Sequence, residues 1–185
     1  MSKNRFETFT DAVLAIIMTI MALEIHVPSE PTFQAFTKLL IPLLAYFISF
    51  FGLTNLWIAH HRVLKTANKI SYRSVFINAI LLFWVTMVPV STAWVADYPT
   101  KNFPQQVFIF VQLGWFFFMY ILIRSIQKDN QQKTTNFIFN KATLINIALM
   151  IILLVFPVPY WSLFIALIII ITTPILLIRE EKNSK

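Results

Sequence analysis

Long apolar stretches alternate along the chain with short segments that contain charged residues or proline. A helix needs roughly 20 residues to cross the hydrocarbon layer of a bilayer, and six stretches are long enough. The pattern therefore predicts an all-α membrane protein with six transmembrane helices in one domain, residues 1–185, and a kink at Pro89. The predicted spans are residues 6–25, 36–64, 75–96, 106–126, 142–158 and 161–178.

Basic residues cluster in alternate loops, and this distribution predicts the orientation of the chain. Of the 15 Lys and Arg residues, all but Lys38 and Lys101 fall on one side if the chain crosses the membrane six times. Because short cytoplasmic loops are enriched in Lys and Arg, both termini are predicted to be cytoplasmic, in a cell membrane protein. The residues on that side are Lys3, Arg5, Arg62, Lys65, Lys69, Arg73, Arg124, Lys128, Lys133, Lys141, Arg179, Lys182 and Lys185.

Composition supports the membrane class, with 58% hydrophobic residues, 19 Phe and only 2 Gly. The net charge of +7 is explained by topology, so no nucleic-acid partner is predicted. The chain has no cysteine, which excludes disulfides and thiolate metal sites.

We predict a retained first helix rather than a signal peptide. No small-x-small cleavage site follows Leu23, and two acidic residues, Glu7 and Asp11, lie where a signal peptide has its basic region and the start of its apolar core.

The first span is the most polar of the six, and one of its faces is a candidate ion path. Ala12, Ile16, Thr19 and Leu23 share this face at helical spacing, with one hydroxyl among aliphatic side chains. A buried packing face is the alternative, since aliphatic residues at this spacing usually form a core. Apolar rings that lose water can close a pore, however, and hydroxyls can replace part of an ion's hydration shell.

Polar residues at the cytoplasmic ends of the first three spans form a second candidate site. Arg5 and Asp11 are six residues apart and do not face each other on one helix, so each needs a partner elsewhere. Asn55, Asn78 and either His60 or His61 are the candidates. We favour a network that holds the first helix, and a proton-relay or pH-sensing role for the histidines is the alternative. Adjacent histidines point about 100° apart on a helix, so no metal site is predicted.

The only two glycines, Gly52 and Gly114, are far apart in the sequence, so there is no TVGYG filter loop, and no apolar half-segment re-enters between the spans. Nucleotide P-loop, GxSxG and HExxH motifs are absent as well. The sequence therefore predicts no enzyme activity and no cofactor.

The motif Arg5-x-x-x-Phe9-Thr10-Asp11 resembles the RxxxFSD signature at the start of the first helix in the endolysosomal potassium channel family, transmembrane protein 175. Here Thr10 stands where Ser is usual, and the hydroxyl is kept. Further positions in the second and third spans are similar to recurrent features of the same family: Asn55, Trp57, His60, His61, Asn78 and Pro89.

This resemblance implies a homotetramer with the first helix of each subunit around a central pore and no P-loop filter. It implies a constriction at Ile16, a pore hydroxyl at Thr19 and a further apolar ring at Leu23. It also implies that Arg5 and Asp11 join the His and Asn residues in a network that holds the pore helix. We accordingly predict passive, potassium-preferring cation permeation across the lipid bilayer. A proton-coupled secondary transporter and a non-conducting scaffold are the alternatives.

Overall fold

The computed structural model describes residues 2–131 and 141–183, with side chains described to residue 131 and from 143 to 174. All regular structure in these ranges is α-helical. The helices, in chain order, are α1 (Lys3–Leu23), α2 (Phe33–Thr37), α3 (Leu40–Lys65), α4 (Tyr72–Thr86), α5 (Val88–Asp97), α6 (Asn102–Asp129), α7 (Lys141–Val155) and α8 (Trp161–Asn183).

These eight helices form six apolar helical segments, because α2 continues into α3 and α4 continues into α5. In the described ranges four segments are long and apolar enough to cross a membrane: Lys3–Leu23, Phe33–Lys65, Tyr72–Asp97 and Asn102–Asp129. Two shorter apolar helices follow, Thr143–Val155 and Trp161–Pro174. The prediction of an all-helical fold with six apolar helices is therefore confirmed.

Proline explains the two helix interruptions, one between α2 and α3 and one between α4 and α5. The second span was predicted as one helix, but the structure separates α2 from α3. Pro42 lies in the first turn of α3, where its missing N–H is tolerated, and it cannot donate to the carbonyl of Lys38. In the third span the helix ends at Thr86 and restarts with Pro89 in the first turn of α5. This second interruption lies at the predicted kink.

The core of the bundle lies where α6 packs along α4 and α5 and where α3 packs against α1, α5 and α8. Buried side chains from α1, α3, α4 and α6 form its largest apolar cluster. Gly114 on α6 lies so close to Trp84 on α4 that a β-carbon there would overlap the indole ring. The absence of a side chain at Gly114 therefore makes room for the Trp84 ring between α4 and α6.

Polar side chains at the end of α6 fix the loop between α3 and α4. Asp129 Oδ2 accepts from the backbone N–H of Ser71 (3.2 Å) and from Ser74 Oγ (2.9 Å). Asn130 Oδ1 accepts from the N–H of Lys69 (2.8 Å), and its Nδ2 donates to the carbonyl of the same residue (2.9 Å). These contacts satisfy loop backbone groups that have no helical partner.

Several of the basic clusters lie at one end of the bundle. Lys3 Nζ at the start of α1 reaches the carbonyl of Lys65 at the end of α3 (3.5 Å), and the end of α6 bonds to the α3–α4 loop. The N-terminus, this loop and the end of α6 therefore share an end, as the charge pattern requires. Lys133 and Lys185 lie outside the described residues. Which side of the membrane this end faces stays a prediction.

Candidate functional site

One face of α1 packs into the protein. Its five buried residues follow one another at intervals of three or four, so they lie on a single face of the helix. This packed face contacts α3, α4 and α5. The buried residues are Phe6, Thr10, Leu14, Ile17 and Met21.

The opposite face of α1 is uncovered within one chain. Phe9, Ile16 and Leu23 are 55%, 57% and 80% exposed, and Ala12 and Thr19 are exposed beside them. We call the residues Phe9, Ala12, Ile16, Thr19 and Leu23 the α1 stripe. The packing of the chain thus leaves free the face that the sequence analysis selected as an ion path.

Thr19 supplies the one hydroxyl of the α1 stripe. Its Oγ1 donates to the carbonyl of Ile16 (2.8 Å), one turn earlier in the helix. Its single proton is therefore used within the helix, while the oxygen keeps its lone pairs as acceptors. On the exposed face, Thr19 can offer partial negative charge to a cation or to a water molecule.

A buried chain of hydrogen bonds joins α1, α4 and α3. Thr10 Oγ1 donates to the carbonyl of Phe6 (3.1 Å) and accepts from Asn78 Nδ2 (2.8 Å). Asn78 Oδ1 lies 3.3 Å from His60 Nε2, which therefore carries the proton and donates. The Phe6 ring stacks on the imidazole of His60 at a centroid distance of 5.6 Å. Thr10, Asn78 and His60 are at most 2% exposed, so these bonds form away from water.

Two further polar contacts join α1 to α3 nearer the surface. Trp57 Nε1 donates to Asp11 Oδ1 (2.9 Å), and His61 Nδ1 lies 2.7 Å from Glu7 Oε1. The rings of Trp57 and His61 stack with centroids 6.2 Å apart. The two acidic residues of α1 thus contact two aromatic residues on one face of α3.

Three residues of the predicted network make no such contact in the part of the chain that the structure describes. Arg5 and Phe9 are exposed, and Asn55 is half-buried. No hydrogen bond or ion pair from the Arg5 or Asn55 side chain occurs among the described residues. Asp11 takes Trp57 as its partner, and Arg5 keeps its charge on the uncovered side of α1.

Glu7 and Phe6 were absent from the predicted network, although both contact a histidine in the structure. Glu7 lies four residues before Asp11, so the two carboxylates share a face of α1. That spacing was a usable signal, because a face carrying two carboxylates must meet polar partners.

Within the described residues, no group of three or more His, Cys, Asp or Glu residues could hold a metal ion.

This site lies in a segment with known relatives. The family model described as "Endosomal/lysosomal potassium channel TMEM175" matches residues 5–89. Over that segment the chain is similar to the TMEM175 family. The TMEM175 segment contains the α1 stripe and every residue of the predicted network, and it ends at Pro89.

Bacterial and mammalian relatives match between 51% and 59% of the chain. A protein named potassium channel from Chryseobacterium sp. (strain P1-3) is 38% identical over 105 residues, which are 57% of this chain and 53% of the relative. Another so named, from Chamaesiphon minutus, is 33% identical over 51% of this chain and 50% of its own. The endosomal/lysosomal proton channel TMEM175 of Rattus norvegicus is 30% identical over 59% of this chain and 22% of its own. The chain thus spans about half the length of the bacterial relatives that it matches.

The TMEM175 fold extends over nearly the whole chain. The crystal structure of a lysosomal potassium-selective channel TMEM175 homolog from Chamaesiphon minutus superposes with a TM-score of 0.74. The match covers 94% of this chain and 96% of that chain at 24% sequence identity. Helices beyond residue 89 therefore share the TMEM175 architecture, although the family model ends there.

Proposed function

We propose that this chain is a potassium-preferring cation channel in which ions cross the membrane passively. The observation that carries this proposal is the α1 stripe, an uncovered helical face within a TMEM175-family segment. Two bacterial relatives are named potassium channels, and these names support the choice of ion. Passive permeation forms and breaks no covalent bond, so the proposed function requires no cofactor and no catalytic residue.

In the proposed assembly the chain forms a homotetramer, and the α1 stripe of each copy faces a central axis. Ile16 is the constriction, Thr19 places a hydroxyl one turn further along, and Leu23 forms a second apolar ring. Intramembrane polar groups are costly when they face lipid, which favours an interior position for a face that carries Thr19 and begins at Arg5. The number of subunits rests on the family resemblance.

Discrimination by such a pore depends on water. A ring of branched aliphatic side chains holds water weakly, and an ion must lose part of its hydration shell to pass. Potassium is held less tightly by water than sodium is, so a dry ring favours potassium without any carbonyl filter. Thr19 offers acceptor oxygens just beyond Ile16, where a partly dehydrated ion needs them.

The polar contacts on the packed side of α1 hold the pore helix in position in this proposal. The chain of donors from His60 through Asn78 and Thr10 ends at a backbone carbonyl. It reaches neither Asp11 nor Glu7, each of which bonds to another partner. This arrangement favours a packing network over a proton relay.

The charge pattern favours cytoplasmic termini in a cell membrane.

Potassium flux from reconstituted vesicles tests the proposal. The protein should conduct, and Ile16→Asn should raise the flux several-fold and bring the potassium-to-sodium ratio closer to unity, because a hydrated ring replaces a dry one. Ile80→Asn on α4 is the matched control, since this side chain is comparably exposed (44%) and lies outside the α1 stripe. It should leave the flux and the ratio near their original values.

Three outcomes contradict this proposal. Equal effects of the two substitutions would remove Ile16 from the ion path. Uptake that saturates and needs a pH gradient would indicate a proton-coupled transporter. Vesicles that contain correctly folded protein and remain silent would indicate a scaffold.

A further inference from the structure

A basic groove lies between the start of α4 and the end of α6. Its volume is about 520 Å³, within the range of roughly 300–1,000 Å³ typical of small-molecule sites. Of the described residues that line it, three are cationic and none is acidic. They are Arg73, Tyr120, Ile121, Arg124, Ser125, Gln127 and Lys128, which we call the α4–α6 groove.

One carboxylate, that of Asp129, lies beside this groove and interacts electrostatically with Arg73. Asp129 follows Lys128 in the chain, but its Oδ2 accepts from Ser71 and Ser74 at the start of α4. Arg124 lies over the Tyr120 ring at 6.0 Å, and Arg73 and Lys128 are exposed. The groove therefore concentrates positive charge.

The depth of the groove matches the headgroup layer of a bilayer. α6 has 28 residues and is about 42 Å long, whereas the hydrocarbon layer is about 30 Å thick. A helix of this length that stands upright and centred in the hydrocarbon layer projects by about 6 Å at each end. Arg124 lies five residues before the end of α6, about 8 Å along the helix, so it lies close to the hydrocarbon boundary.

Apolar side chains continue from the groove toward the middle of the membrane. On α4, Phe76 is 70% exposed and lies one turn beyond Arg73. On α6, Phe117 is 57% exposed and lies one turn deeper than Ile121. A ligand with an anionic end and hydrocarbon chains would meet cations first and then two aromatic rings.

We propose that the α4–α6 groove binds the headgroup phosphate of an anionic phospholipid. Basic pockets between transmembrane helices are suited to such headgroups. Arg73 and Arg124 are forked donors suited to phosphate oxygens, and Lys128 adds a point charge. The acyl chains lie along Phe76 and Phe117. This inference requires membrane insertion but does not depend on ion conduction.

Lysine footprinting of the whole protein tests this inference. The protein is reconstituted in phosphatidylcholine alone or with an equal part of phosphatidylglycerol, and amine modification is followed by mass spectrometry. Lys69 is the internal control, because it is exposed at the same end of the bundle. We expect the modification rate of Lys128, relative to that of Lys69, to fall at least threefold with phosphatidylglycerol. An unchanged ratio would overturn the proposal.

Two variants and one competitor sharpen this test. Arg73→Gln with Arg124→Gln should abolish the protection of Lys128, whereas the matched pair Lys3→Gln with Lys65→Gln should retain it. Equal loss in both pairs would mean general attraction to the surface and would overturn the site. Protection by glycerol phosphate in phosphatidylcholine vesicles would identify a soluble phosphate instead. Equal protection of Lys128 in both lipid compositions would indicate that another copy of the chain covers the groove. The wild-type measurement stands even if the arginine variant fails to fold.

Discussion

The buried hydrogen bond between Thr10 and Asn78 gives the sharpest test of how α1 is held in the bundle. Thr10→Val keeps the shape of the side chain and removes the acceptor for Asn78 Nδ2. Asn78→Leu removes the donor to Thr10 and also the acceptor for His60 Nε2. All three residues are almost fully buried, so water cannot replace the lost partners.

A double-mutant cycle isolates the energy of this contact. Each single substitution leaves one buried donor unsatisfied, which costs about 1–3 kcal/mol of unfolding free energy. In the double variant Asn78 no longer has an N–H to satisfy, so only His60 Nε2 loses its partner. The double variant should therefore cost less than the sum of the single costs. Polar contacts between membrane helices contribute about 0.6–1.7 kcal/mol, and the shortfall should lie in that range.

Reversible unfolding in mixed micelles, followed by far-UV circular dichroism, measures these costs. Thr10→Ser is the control: it keeps the hydroxyl that accepts from Asn78 Nδ2, so its cycle with Asn78→Leu should show almost no coupling energy. Independent sites add to within about 0.3–0.5 kcal/mol. Additivity of Thr10→Val and Asn78→Leu would therefore mean that the two side chains do not bond, and the proposed network would lose its central contact.

Gly114→Ala should destabilise the protein by about 1–3 kcal/mol because its β-carbon overlaps Trp84, whereas Gly52→Ala, which meets open space, should be neutral or stabilising by up to about 1 kcal/mol; thermal unfolding compares the two. Asn130→Ala should cost about 0.5–1.5 kcal/mol and speed proteolysis of the α3–α4 loop, since it removes the side-chain hydrogen bonds that hold the loop backbone; cleavage at the wild-type rate would contradict this role. Asp11→Ala should reduce the tetrameric fraction in size-exclusion chromatography more than it reduces flux per tetramer; intact tetramers with altered flux would assign Asp11 to permeation instead.

The sequence predicted which residues of α1 share a face, but it could not predict which face packs. Ile16 and Leu23 are as apolar as Leu14 and Ile17 on the opposite side, so hydrophobicity does not distinguish them. The structure separates the faces by burial, with Leu14 at 2% and Ile16 at 57% exposed. The hidden hydroxyl of Thr10 adds a polar contact on the packed side that no periodicity could locate.

The two histidines show a similar limit. They are adjacent, so helical geometry predicts divergent directions but does not assign either one. The rotation of α3 decides the matter: His60 enters the core beside Phe6, and His61 reaches Glu7 at the surface. The break between α2 and α3 could have been predicted, because Pro42 cannot occupy the interior of a helix without the loss of a hydrogen bond.

A density map of the assembled protein in a lipid bilayer, viewed along the membrane normal, tests the central claim most directly. The proposed function predicts α1 helices from a tetramer around a central axis, with the Ile16 side chains converging on it and potassium density near Thr19. An assembly in which Ile16 faces lipid, or in which α1 lies away from every shared axis, would contradict the proposed pore.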